Sequence, residues 1–211
     1  VIKAITVCVN YDDILDVTID RMVSNVDQLV VVTSTSDKKT KLLCKNKEKV
    51  KLLQTDSFYS KGAKFRKGLA IEEGFDFIGR NGWILVIDAD ILLPEKMPLP
   101  AVEVGKIYSP YRRVLPRLED AKDYMDVSSW GRLDKFNDQE FAGYFQLFNG
   151  SDPVLRKKPW YGIDWMHAGG CDSVFERKWM QTNKVRPNFD VLHIGPIGVN
   201  WHGRITGRVE S

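Results

Sequence analysis

The chain has 211 residues, 43% apolar, 11% aromatic and 28% charged, the makeup of a globular domain and far from that of a disordered chain. That length buries one substantial core, whereas two independent domains would each be small, so a single domain over 1–211 is expected. The net charge of +3 suits anionic small ligands and falls well short of a dedicated nucleic-acid binder.

Taken in chain order, Ile2 to Val9 reads as a strand, and Asp12 or Asp13 can cap a helix whose Leu15, Ile19, Met22 and Val23 share a face. Gln28 to Thr33 is a second strand, which completes a βαβ unit. A lysine-rich helix from about Asp37, a strand at Val50 to Gln54, a helix from about Gly62 to Glu73 and the strand Trp83 to Ile87 continue the alternation. This pattern predicts an α/β fold with a mostly parallel central sheet and helices on both faces. Between Lys38 and Lys51 seven lysines stand against the single Glu48, and such a run reads first as a solvated face.

The second half changes character. Lys106 to Ser109 and Tyr144 to Phe148 read as strands, separated by an acidic, turn-rich stretch without a clean period. A Pro/Gly-rich connection carrying Trp160, Tyr161 and Trp165 follows, then a helix from about Asp172 to Met180 and a strand from Asp190 to Ile194. Cys8, Cys44 and Cys171 form neither a CxxC pair nor a zinc-ligand spacing and read as reduced thiols. No apolar stretch approaches the ~20 residues of a membrane span, so a cytoplasmic protein without a membrane anchor is expected.

Two carboxylates, Asp88 and Asp90, close the most apolar run of the chain, WILVIDADILLP. Charge kept from water needs a partner. In open α/β sheets ligands gather beyond the carboxyl ends of the strands, and oxygen ligands there suit a divalent cation that also holds diphosphate oxygens. The bland alternative is one Asp capping a turn and the other pairing with a lysine. The late segment FDVLHIGPIGVNWHGR favours the metal, because it places His193 and His202 among Gly195, Gly198 and Gly203 and ends in Arg204.

These motifs resemble the GT-A-fold glycosyltransferases, which use a nucleotide-diphosphate sugar and an Asp-x-Asp motif after a central strand. The resemblance implies that Asp90 binds Mn²⁺ or Mg²⁺ and that Asp88 touches the metal or the nucleotide ribose, with Ala89 between them. In β-1,4-galactosyltransferases and polypeptide N-acetylgalactosaminyltransferases a Gly-Gly-Glu-Asp or Gly-Gly-Glu-Asn segment opens a helix beside the acceptor, and a later His completes the metal shell. Here HAGGCDSVFERKW keeps Gly169, Gly170 and Asp172, His193 stands for the metal His, and Cys171 replaces the usual Glu. The same resemblance implies a nucleotide-sugar half, 1–95, and an acceptor half, 96–211. Val9, Asn10, Tyr11 and Asp12 after the first strand, and Thr33 and Ser34 after the second, would seat a nucleotide, with a UDP-sugar favoured. Lys64 and Arg66 would contact the diphosphate, as would Arg204; the alternative for Lys64 and Arg66 is a basic, solvated helix face.

A metal-dependent hexosyl- or pentosyltransferase is therefore expected. Asp172 is the candidate base for an inverting reaction and Asp164 its reserve, while a retaining enzyme would use Asp172 to position the acceptor. Trp160, Tyr161, Trp165 and Trp130 offer a stacking platform or a cap on the core. The acceptor stays open among glycan, protein, small molecule and a modified nucleic-acid base. Two rivals belong to other classes: a non-catalytic nucleic-acid-binding module, which would leave Asp88, Asp90 and His193 without a purpose, and a sugar-phosphate nucleotidyltransferase, whose Gly-rich loop after the first strand is missing from VNYDDIL.

Overall fold

The structure, a computed structural model, describes residues 1–136 and 141–208. Among these residues the chain runs β1 (Ile2–Val7), α1 (Asp12–Asn25), β2 (Gln28–Thr33), α2 (Lys38–Cys44), β3 (Val50–Gln54), α3 (Lys67–Ile78), β4 (Trp83–Ile87), β5 (Ile91–Leu92), β6 (Ile107–Tyr108), β7 (Tyr111–Leu115), β8 (Lys135–Phe136), β9 (Phe145–Asn149), α4 (Cys171–Glu176), β10 (Lys184–Val185) and β11 (Asp190–Ile194). The main sheet has the order β10-β6-β9-β4-β1-β2-β3, in which β3, β2, β1 and β4 are mutually parallel and β9 runs antiparallel to β4 and β6. A smaller sheet, β5-β11-β7-β8, stands beside it. The fold is α/β with a mostly parallel central sheet, as the alternation predicts.

Burial explains the run of apolar residues in each central strand. Leu29 to Thr33 of β2 are all buried, as befits a parallel strand covered by helices on both faces. Helix α1 turns Ile14, Leu15, Ile19 and Met22 inward and carries Asp12 and Asp13 in its first turn, where the positive end of the helix dipole favours carboxylates. Its N-cap position is Tyr11, so neither aspartate caps it. Part of the lysine tract serves the same helix. Lys49 Nζ donates to the carbonyls of Val23 and Val26, which close its C-terminal end.

The helix expected from about Gly62 instead begins at Lys67. Tertiary contacts outbid helical ones here: the N–H groups of Lys64 and Phe65 both donate to the Met166 carbonyl, and that of Arg66 donates to Phe58. Gly68 then lets α3 meet the chain opposite, because a Cβ there would lie 2.1 Å from the Gly162 carbonyl oxygen. Strands β5, β7, β8 and β10 are short or carry charged residues, as in YRRVL, and only their pairing partners reveal them. No helix among the described residues is long and apolar enough to cross a membrane.

Candidate functional site

The order of the parallel strands reverses between β1 and β4, so the connections leaving their carboxyl ends diverge and leave a crevice. A cavity of about 500 Å³ opens there. Val9 and Tyr11, which follow β1, line one side, and Asp88, Ala89 and Asp90, which follow β4, form the floor. Gly169, Gly170, Asp172, His193 and Arg204 converge on the same cavity from the second half of the chain. Thr18 of α1 ties its hydroxyl to the Ala89 carbonyl at 2.7 Å and so anchors the floor from behind.

The smaller sheet brings Asp90 and His193 together. Its β5 pairs antiparallel with β11, with His193 opposite Ile91, and the Ile194 N–H donates to the Asp90 carbonyl at 2.9 Å. His193 lies within β11 and is buried. Its Nδ1 is 3.1 Å from the Gly195 carbonyl oxygen. A carbonyl only accepts, so in the neutral ring the hydrogen sits on Nδ1 and the lone pair on Nε2. Nε2 lies 3.7 Å from Asp90 Oδ2, and Asp90 Oδ1 is buried with no hydrogen-bond partner. An unpartnered carboxylate oxygen beside an oriented imidazole nitrogen suits a divalent cation. Among the described residues no three His, Cys, Asp or Glu side chains gather at one metal position.

Asp88 has a different partner. Lys67, in the first turn of α3, forms an ion pair with Asp88 Oδ1, the two side chains being 16% and 27% exposed. Burial acts against the Lys67 charge, but Asp88 and then Asp172 act for it, and its ammonium is held above the ordinary lysine value. Burial raises the Asp88 carboxyl; Lys67 draws it back, Asp90 and Asp172 push it up again, and the result stands above the ordinary carboxylate range. Two carboxylates, Asp88 and Asp172, thus act on one ammonium, while Asp90 adds its charge beside Asp88, an arrangement with room for further positive charge. The sequence contains no sign of Lys67's role, because its partner is 21 residues away and meets it only through the packing of α3 on the sheet.

Asp172 opens α4, where Gly170 at φ +90 turns the chain into the helix. Its Oδ2 accepts the Gly143 N–H at 2.6 Å and its Oδ1 the Ser173 N–H at 3.0 Å. Glycine at 143 is what allows this approach, since a Cβ there would lie 2.8 Å from the Asp172 Cβ. Cys171 is buried beneath Gly68 and its thiol is pushed up to about 12 by burial, so it brings no charge to the place where the resemblance has a Glu.

The remaining expected residues are engaged within the fold or lie outside the cavity. Arg204 borders the cavity, but all its N–H groups are taken: Nε by Thr206 O, one terminal nitrogen by Asn10 O and Asp13, the other by Asp13 and Gly207 O. It works as a clamp on the start of α1. Arg66 is buried and donates to Ser60 and to the Ile163 carbonyl, Lys64 is exposed, and neither lines the cavity. Asn10, at φ +58, gives its N–H to Asp37, as does the Thr33 hydroxyl; Ser34 bonds Ser36, and Asp12 pairs with Arg208. None of these four residues lines the cavity. Trp160 and Tyr161 are core residues packed on Phe75, with both N–H groups donating to Glu72 Oε1 at 2.7 Å, and their rings are closed to stacking ligands. Trp130 is likewise buried, while Asp164 and Trp165 are exposed outside the cavity.

No family model and no curated protein sequence matches this chain. Solved structures with a similar fold include the inositol-1-phosphate CTP transferase from T. maritima, 11% identical over 94% of this chain and 91% of that one, with a TM-score of 0.53. A mycobacterial protein is 14% identical over 92% of this chain and 65% of that one, with a TM-score of 0.50. The galactosyltransferase LgtC, solved with donor and acceptor sugar analogs, is 14% identical over 74% of this chain, with a TM-score of 0.47. This chain spans 60% of the length of LgtC. The likeness is one of fold, an α/β architecture with a mostly parallel central sheet.

Proposed function

We propose that this chain moves a sugar, hexosyl or pentosyl, from a nucleotide-diphosphate sugar to an acceptor hydroxyl. The observation that carries the reading is the Asp90–His193 pair, with the buried and unpartnered Asp90 Oδ1, facing Asp172 across one cavity at the β1/β4 crevice. Asp90 and His193 would hold Mn²⁺ or Mg²⁺, which when bound offsets charge on the departing nucleoside diphosphate. Val9 and Tyr11 border the place for the nucleotide, a UDP-sugar being favoured, and Asp88 stands where it can reach the ribose or the cation. Lys67 keeps its ammonium beside Asp88 and Asp172 and so preserves the floor against three-fold carboxylate repulsion.

In an inverting reaction Asp172 takes the proton from the acceptor hydroxyl as that oxygen bonds to the anomeric carbon, and the bond from that carbon to the diphosphate oxygen breaks with its electron pair leaving on the phosphate. The Gly143 N–H orients Oδ2 for this task. The nucleotide half would be 1–95 and the acceptor half 96–211.

A nucleotidyltransferase reading draws on the fold of the T. maritima protein, but the loop after β1 argues against it. Its Cys8 and Asn10 N–H groups are spent on Val32 O and Asp37, so they cannot cradle a triphosphate. Isothermal titration of UDP, GDP and CDP with and without Mn²⁺ tests the proposal. Wild type should bind one of them in a Mn²⁺-dependent way and Asp90→Ala should lose that dependence; equal binding by both proteins overturns the assignment.

A further inference from the structure

Two indole rings flank the mouth of the cavity in solvent. Trp165 is 38% exposed and Trp201 52%, unusual for side chains that rank among the most buried on average. Neither is a stray surface ring, because glycines are placed to receive both. A Cβ on Gly170 would lie 2.9 Å from the six-membered ring of Trp165, and one on Gly162 would lie 2.7 Å from its Cδ1. A Cβ on Gly169 would lie 3.1 Å from Trp201 Cδ2. The Ala168 N–H donates to the Trp201 carbonyl at 2.7 Å and fixes the two segments to each other. His167 stands between them, near-parallel to Trp201 at 19° and edge-on to Trp165 at 72°. Trp201, Gly169 and Gly170 also line the cavity that holds Asp172.

We infer that this aromatic rim binds a neutral pyranose ring of the acceptor and that the acceptor is a carbohydrate. This deepens the sugar-transfer proposal and rests on it. Indole faces are electron-rich and take the C–H face of a pyranose, while His167, whose Nδ1 accepts the Gly169 N–H at 3.1 Å, offers Nε2 to one of its hydroxyls. Charge selects against the polyanionic alternative. The cavity lining sets Lys67, Arg112 and Arg204 against Asp88, Asp90 and Asp172, so it holds no excess of positive charge with which to draw in a phosphodiester chain, whereas a neutral sugar needs none.

The test is ligand-observed NMR and tryptophan fluorescence on the full chain with methyl glycosides of glucose, galactose, mannose and N-acetylglucosamine, and with single-stranded oligothymidylate. UDP with Mn²⁺ is titrated on the same samples. At least one glycoside should bind and shift the emission; Trp165→Ala and Trp201→Ala should each weaken it about tenfold or more, and Trp201→Phe should recover part of the loss. Both rings are exposed, so thermal melting should stay near wild type. Failure of all four glycosides overturns the inference, as does unchanged affinity in both alanine variants or salt-sensitive oligothymidylate binding lost with the tryptophans. The two readings separate cleanly. Glycoside binding without UDP binding keeps the rim and sinks the transferase, whereas UDP binding without glycoside binding does the reverse.

Discussion

Replacing Lys67 by methionine keeps the length of the side chain and removes the ammonium that pairs with Asp88 and acts on Asp172. Breaking a buried ion pair from one side costs about 3–5 kcal/mol, because the other charge is left without compensation. Lys67 is 16% and Asp88 27% exposed, so water recovers part of this and ~2–3 kcal/mol is the expected loss at pH 7. For a chain of this size that lowers the melting temperature by about 4–12 °C. The pH dependence has a definite sign. In the wild type Lys67 is held above its unfolded value, so its contribution is complete at neutral pH and is lost only as pH rises through the folded value in the alkaline range. In the variant Asp88 keeps burial and carboxylate repulsion without relief. Its carboxyl then sits further above the unfolded value, and the folded state takes up a proton more readily. The deficit should therefore shrink on going from pH 7 to pH 5. Melting curves at both values, with and without Mn²⁺, measure this, and Mn²⁺ should stabilise the variant more than the wild type by supplying the missing charge. A variant as stable as wild type at pH 7, or a deficit that grows at pH 5, would refute the reasoning.

Asp172→Asn retains an acceptor oxygen for the Gly143 N–H, so melting and UDP affinity should hold while sugar transfer falls about 10²-fold or more; normal transfer would remove Asp172 as the base and favour a retaining reaction, or Asp164. Gly68→Ala forces a Cβ to 2.1 Å from the Gly162 carbonyl and should cost ~3 kcal/mol in urea unfolding, whereas Gly131→Ala, with nothing within 4 Å, should be close to neutral. Hydrogen bonds from Arg80 and Lys158 lower the Asp76 carboxyl from 3.8 to about 2. Its contribution is present above the unfolded value and lost as pH falls through the folded one, and because the side chain is 59% exposed Asp76→Asn should cost no more than ~1 kcal/mol at pH 7, a cost that shrinks as pH falls from about 4 through about 2.

The sequence by itself determined the framework of the site. Gln28–Thr33, Trp83–Ile87 and Asp190–Ile194 are strands at the bounds their apolar runs imply, since burial leaves a continuous local signal, and the edge strand Val50–Gln54 also falls at its expected bounds. Because Asp88 and Asp90 end such a run, their place at a carboxyl strand end was legible too. Tertiary structure alone decided the partners. His193 meets Asp90 only because the two-residue β5 pairs with β11, and Lys67 claims Asp88 only because α3 starts five residues later than its local pattern suggests. Arg204 reads as a phosphate ligand by charge, yet carbonyls and a carboxylate consume its donors, those of Asn10 and Asp13 from the far end of the chain; Arg66 is buried against Ser60 and the Ile163 carbonyl, away from the cavity. Trp160 and Trp165, five residues apart in one loop, part ways for the same reason: Glu72 draws the backbone at Trp160 into the core, while Gly162 and Gly170 leave Trp165 a seat at the surface. Local sequence encodes which residues prefer burial, but the donor or acceptor that satisfies each polar group is chosen by chain segments that meet only in the folded state.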